Sequence, residues 1–76
     1  MAKTVLDLKG LKYTMPVVKA SVAIKKGSPG DIFEVVSDYS GFENDIKKWC
    51  EETGNVLDNI TKSGNDITAT ITKKTS

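Results

Sequence analysis

Between Phe42 and Thr53 the residues that avoid water recur with one spacing: Phe42, Ile46, Trp49, Cys50 and Thr53 stand at i, i+4, i+7, i+8 and i+11. At 3.6 residues per turn this spacing places all five on one side of an α-helix. Asp45, Lys47, Lys48, Glu51 and Glu52 fall on the faces left to water. Gly54 follows at the C′ position, where a positive φ costs nothing. Ser40 and Glu43 have the spacing of a capping box, in which hydroxyl and carboxylate satisfy the first N–H groups reciprocally. Such a helix must bury its stripe against something. The chain has 76 residues, so residues 1–76 read as a single domain with one core. A chain this short buries only about 60% of its unfolded surface, which leaves a stability margin of about a few kcal/mol.

The covering surface is supplied by strands. Thr4-Val5-Leu6-Asp7-Leu8, closed by Gly10, reads as a first strand. Pro16 to Lys26 has Val17, Val18, Ala20, Val22, Ala23 and Ile24 wrapped around one broad side. Its proline start and its terminal Lys25 and Lys26 favour a helix over a strand. Gly27-Ser28-Pro29-Gly30 ends it. Asp31 to Val36 is a second strand with Phe33 and Val35 on one face and Ile32 and Val36 on the other, the pattern of an interior strand. Asn55 to Lys62 is a third, less regular strand, and Ser63-Gly64-Asn65 a hairpin turn. Asp66 to Thr72 alternates strictly, Ile67, Ala69 and Ile71 against Thr68, Thr70 and Thr72. Lys73 to Ser76 reads as a frayed tail. The order β-α-β-α-β-β, with right-handed crossovers, predicts an α/β (α+β) two-layer sandwich: a four-stranded mixed sheet with both helices on one face.

Composition narrows the chemistry. Histidine is absent, so paired general acid–base work and zinc ligation have few candidates. Cys50 is the sole cysteine and has no disulfide partner. On the helical stripe it reads as a small core hydrophobe; the alternative, a reactive thiol, needs exposure and a positive environment. The net charge of +1 and the absence of arginine weigh against nucleic acid as a partner. No apolar run has the length of a signal peptide or membrane span, so the expected setting is cytoplasmic, with no membrane partner. No cofactor is implied. The junction Asp7 to Pro16, where the first strand turns into the first helix, is the expected functional corner. Tyr13 or Thr14 stands at its N-cap, with Pro16 in the first turn. Lys9, Gly10, Lys12, Tyr13, Thr14, Met15, Pro16 and Lys19 form the candidate partner-binding surface. A small anion at the helix N-terminus is a further reading.

Several segments together resemble the TusA/SirA-like family of sulfur-carrier proteins. They are Leu6-Asp7-Leu8-Lys9-Gly10-Leu11-Lys12, Ser28-Pro29-Gly30-Asp31, Asp38, Asp45-Ile46-Lys47-Lys48-Trp49-Cys50 and Gly54-Asn55-Val56-Leu57. The match runs from about Val5 to Lys73, and the resemblance implies the same β-α-β-α-β-β fold. The family has Cys-Pro-x-Pro at the start of the first helix, and that cysteine carries sulfur as a persulfide. Here the tetrad is Tyr13-Thr14-Met15-Pro16, and neither a phenol nor a thioether can form a persulfide. The resemblance therefore implies a non-catalytic relative with a degenerate active site. Its partner would be a protein, a cysteine desulfurase or another sulfur-relay protein. The competing reading is a sulfur carrier whose thiol is displaced to Cys50.

Overall fold

The computed structural model describes residues 3–74 and has the expected order. Strand β1 spans Lys3–Asp7, helix α1 Met15–Lys26, strand β2 Ile32–Ser37, helix α2 Phe42–Thr53, strand β3 Val56–Ser63 and strand β4 Asp66–Thr72. Within the sheet the order is β1-β2-β4-β3. β1 runs parallel to β2, and β4 runs antiparallel to both of its neighbours. The final hairpin thus inserts β4 between β2 and β3, which leaves β3 parallel to β2 but not beside it. Each helix returns against the direction of the strand before it. The two helices consequently lie side by side and point the same way.

The core lies between the helix pair and the sheet. Ala20 and Ile24 come from α1, Phe42, Ile46 and Cys50 from α2, Phe33 and Val35 from β2, and Ile67, Ala69 and Ile71 from β4. Strand register aligns the two central contributions: Phe33 pairs with Ile71 and Val35 with Ala69. Phe42 and Ile46 are wholly buried, and each such side chain contributes about 1.5–3 kcal/mol relative to leaving it in water. Both inward rows follow the alternation seen in the sequence. The outward row of β4, Thr68, Thr70 and Thr72, is half-buried on the sheet face that carries no helices. The irregularity of β3 is a register shift between Leu57 and Asn59, where Asp58 is extra and accepts a hydrogen bond from Thr72 Oγ1.

Four local expectations are corrected. α1 buries only Pro16, Ala20 and Ile24, while Val18 and Val22 remain 46% and 48% exposed. A single sheet lies beneath the helix, so the far part of its broad apolar side has no layer to meet. The capping box does not form: Gly41 is the N-cap of α2, with no side-chain cap. The Glu43 carboxylate instead accepts from Lys47 Nζ at 2.9 Å and pairs with Lys62 Nζ at 2.5 Å, because two ammonium groups offer stronger hydrogen bonds than one peptide N–H. Lys73 and Lys74 are not frayed. Lys73 Nζ donates to the carbonyls of Lys25 and Gly27, closing the end of α1, and the Lys74 N–H donates to Asn55 Oδ1. Thr75 and Ser76 lie outside the described residues. Finally, α1 begins at Met15, one residue before the expected Pro16; Thr14 is its N-cap, one of the two residues expected there, but its hydroxyl makes no cap hydrogen bond.

Glu43 joins α2 to the edge strand β3, and the hydrogen bond from Lys62, followed by that from Lys47, lowers its pKa from 4.5 to about 2. A carboxyl whose pKa is depressed by folding contributes stability above its unfolded value and loses it as pH falls through the folded one. Urea unfolding at a series of pH values should therefore show stability declining from about pH 4.5 toward pH 2, with Glu43→Gln flattening that decline.

Candidate functional site

The corner between β1 and α1 is built by hydrogen bonds from its backbone N–H groups, two of them to carboxylates. Leu8 N–H donates to the Val36 carbonyl at 2.8 Å and extends the parallel pairing one residue past β1. Lys9 N–H turns back to Asp7 Oδ1, and Gly10 N–H donates to Asp38 Oδ1 at 3.0 Å. That last bond ties the corner to the end of β2. Lys9 Nζ stands 4.0 Å from an Asp7 carboxylate oxygen and 3.8 Å from one of Asp66. Exposed pairs of this kind contribute at most about 1 kcal/mol, so Lys9 remains available to a partner.

Tyr13, at the position the resemblance aligns with the family cysteine, has φ +60° and is the one non-glycine in a left-handed conformation among the described residues. That conformation costs an L-residue about 1–2 kcal/mol. Its side chain is 73% exposed. The ring centroid lies 5.9 Å from that of Tyr39, with the planes tilted by 51°, a geometry within the favourable range for aromatic pairs. Tyr39 reaches this place because residue 41 is glycine. A Cβ at Gly41 would stand 2.7 Å from Cε2 of the Tyr39 ring and 3.1 Å from its hydroxyl oxygen. An aromatic pair thus caps the corner, one ring from each side.

Of the expected surface, Lys9, Gly10, Lys12, Tyr13, Thr14 and Met15 are exposed at the corner, and Lys19 is exposed one turn further along α1. Pro16 is the correction. Its ring is fully buried, so it sets the entry of α1 onto the sheet and presents nothing to a partner. Sequence reasoning passed over Tyr39, whose signal was an aromatic residue two positions before the glycine that opens α2. It also passed over a groove of about 280 Å3 that leads away from Thr14 between the helices, over Val17 and Val18 and beside Asp45, Lys48, Trp49 and Glu52. The signal there was the adjacent pair Val17 and Val18 on α1, facing Trp49 of α2.

Cys50 is elsewhere. It is 4% exposed on the inner side of α2, eight residues past Phe42 and so about 12 Å along the helix from its start. With Lys47, Glu51, Asn55 and Leu57 it lines the floor of a depression of about 350 Å3. Burial, with the negative charge of Asp58 as the lesser cause, raises its pKa from 9.0 to about 11. A thiol so placed is overwhelmingly protonated at neutral pH, and the thiolate is the nucleophilic form. Among the described residues no group of three or more His, Cys, Asp or Glu side chains is placed to hold a metal ion.

The strain at Tyr13 is separable from its ring contact. Tyr13→Ala and Tyr13→Gly both delete the aromatic pair, but only glycine adopts φ +60° without penalty. Tyr13→Gly should therefore be more stable than Tyr13→Ala by about 1 kcal/mol in urea unfolding; equal stabilities would mean the left-handed conformation costs nothing here.

The family model described as Sulfurtransferase TusA matches residues 4–73. Three relatives that carry the name "Putative sulfur carrier protein" align along most of the chain. One, from Aquifex aeolicus, is 38% identical over 68 residues, 90% of this chain. Another, from Halobacterium salinarum, is 37% identical over 70 residues, covering 92% of this chain and 86% of the relative. A third, from Neisseria meningitidis serogroup A, is 33% identical over 57 residues, 75% of this chain and 77% of the relative. The chain spans only 34% of the Aquifex protein's length. A family match over nearly the whole sequence, on a fold of the expected order, leads to one conclusion: the chain belongs to the TusA-like family of sulfur carriers.

Proposed function

We propose that this chain is a TusA-like sulfur-relay protein that has lost sulfur carriage and acts as a non-catalytic protein-interaction or regulatory module in the cytoplasm. Its partner on this reading is a cysteine desulfurase or another sulfur-relay protein, engaged through Lys9, Lys12, Tyr13, Thr14, Met15 and Lys19. One observation carries the proposal. The exposed, strained corner position holds a phenol, while the only thiol of the chain is buried with its pKa raised to about 11. Sulfur carriage needs a thiolate that a donor can reach, and neither residue meets both requirements. Docking needs only surface, and the corner keeps exposed lysines and an aromatic pair. On this reading residues 1–76 act as a single TusA/SirA-like domain, which the family match over residues 4–73 supports.

The anion reading is weaker on local grounds. Pro16 has no N–H, and the Met15 N–H is already donated to the Lys12 carbonyl at 3.2 Å. The first turn of α1 therefore offers few free donors to an anion. Membrane association has no support from the helices: among the described residues none is long and apolar enough to cross a bilayer.

The test has two arms. The folded chain and Cys50→Ser are incubated with a cysteine desulfurase, cysteine and a persulfide-trapping alkylator, and intact masses are read. No gain of a sulfur atom is expected, and the thiol should react with reagents only after denaturation. A sulfur adduct present in the parent chain and absent from Cys50→Ser would make Cys50 the carrier and end the proposal. In the second arm, Lys9→Glu/Lys12→Glu/Tyr13→Ala should lose the proteins that the unaltered chain retains in a pull-down. Recovery of the same set would remove the corner as the docking surface.

A further inference from the structure

Strand β1 is an edge: among the described residues it pairs with β2 alone. Its backbone phase is set by the hydrogen bond from Leu8 N–H to the Val36 carbonyl. Within a strand the N–H and C=O of one residue point the same way, and successive residues alternate. Leu8, Leu6 and Thr4 therefore turn their backbone groups toward β2, and Lys3, Val5 and Asp7 turn theirs outward. Among the described residues no loop, helix or side chain takes those outward groups.

The two edges of the sheet differ. β3 is interrupted by the register shift at Asp58, a bulge of the kind that spoils an edge as a template for another strand. β1 keeps an unbroken register from Lys3 to Asp7 and contains neither glycine nor proline. Its central residue, Val5, is 62% exposed. α1 stands back from this edge. Thr4 and Leu6 lie on the helix side, in register with Phe33 and Val35, yet Thr4 is exposed and Leu6 only half-buried. A further strand therefore has room beside β1 without meeting α1, and the exposed lysines of that helix stay in water.

The residues of β1 also specify which strand that is. We infer that β1 pairs with β1 of a second copy of this chain, antiparallel about Val5. Lys3 then lies opposite Asp7 of the other copy at both ends of the seam, Val5 opposite Val5, and Thr4 opposite Leu6. Lys3, Val5 and Asp7 are the residues whose backbone groups point outward, so these opposed pairs each exchange both of their N–H···O bonds. Backbone phase, sheet face and charge agree only in this register. A slip of one residue sets side chains of opposite faces against each other, and a slip of two separates Lys3 from Asp7. Parallel pairing would place Lys3 beside Lys3. Within each copy Lys3 stands 3.2 Å from Glu34 and Asp7 4.0 Å from Lys9. The charges thus alternate in sign across the seam, from Glu34 and Lys3 of one copy to Asp7 and Lys9 of the other. Two four-stranded sheets become one continuous sheet about a twofold axis. The hydrogen bonds of the seam involve none of Lys9, Lys12 or Tyr13, so it is independent of the docking corner.

Sedimentation equilibrium of the full chain from micromolar to millimolar concentration, with amide hydrogen exchange at both extremes, tests it. The mass should rise to that of two copies, and the Val5 N–H should become protected as it does. Val5→Pro removes an N–H that β2 does not use, which an edge strand tolerates. It should stay folded by far-UV circular dichroism and move the midpoint at least about tenfold higher. A second readout reports the register even if that variant unfolds. In a Cys50→Ser chain, Val5→Cys should oxidise to a linked pair, because the two positions face each other within disulfide reach. Lys3→Cys should not, because it faces Asp7 of the other copy. A single-copy mass throughout, a folded Val5→Pro chain with an unmoved midpoint, or linkage through Lys3→Cys as readily as through Val5→Cys would overturn the inference.

Discussion

Phe42, Ile46 and Cys50 are kept from water by the inward rows of β2 and β4, and the remaining architecture can be followed outward from that contact. β4 takes the place beside β2 because its Ile67, Ala69 and Ile71 complete the apolar floor under α2. β3 is thereby pushed to the edge, where it needs only a half-buried Leu57 and Ile60 toward the helices. Lys62 at the far end of that edge reaches Glu43 on α2, and Lys73 after β4 closes the last carbonyls of α1. Charged side chains thus pin the perimeter of a core too small to exclude water at its margins, as expected of a chain of this length.

The corner after β1 shows a different economy. Its backbone is tied to Val36 and Asp38 at the end of β2, so the position of the first helix start depends on the parallel strand pair. Within that rigid frame Tyr13 is held with φ +60°. Strained backbone of this kind persists only where the surroundings over-determine it, and it concentrates at functional positions. A residue exposed to this degree contributes little to the core that holds it. The corner thus combines a strained backbone with an exposed phenol.

Legibility differed by element. The stripe of α2 and the alternation of β4 were plain in the sequence because each has one face packed and one wet, so the period of the helix or strand is imprinted on the residue types. α1 was read correctly as a helix but its buried side was read too broadly, since Val18 and Val22 are apolar whether or not a layer covers them. Glu43 had the spacing of a cap and the structure uses it as a clamp. Residues four apart on one helix and residues on a distant strand compete for the same carboxylate, and only the second partner is invisible along the chain.

The sequence by itself determined the element order, the inward rows of α2 and β4, and the presence of a tyrosine before the first helix with one cysteine on the second. These follow from local periodicity and residue identity. Only the tertiary structure decided that Cys50 is buried on the inner side of α2, that Tyr39 comes to rest against Tyr13, and that Met15, Val18 and Val22 of α1 lie open to water. Each of those is a relation between segments far apart in the chain, fixed by which strand pairs with which and by the single layer of sheet beneath two parallel helices.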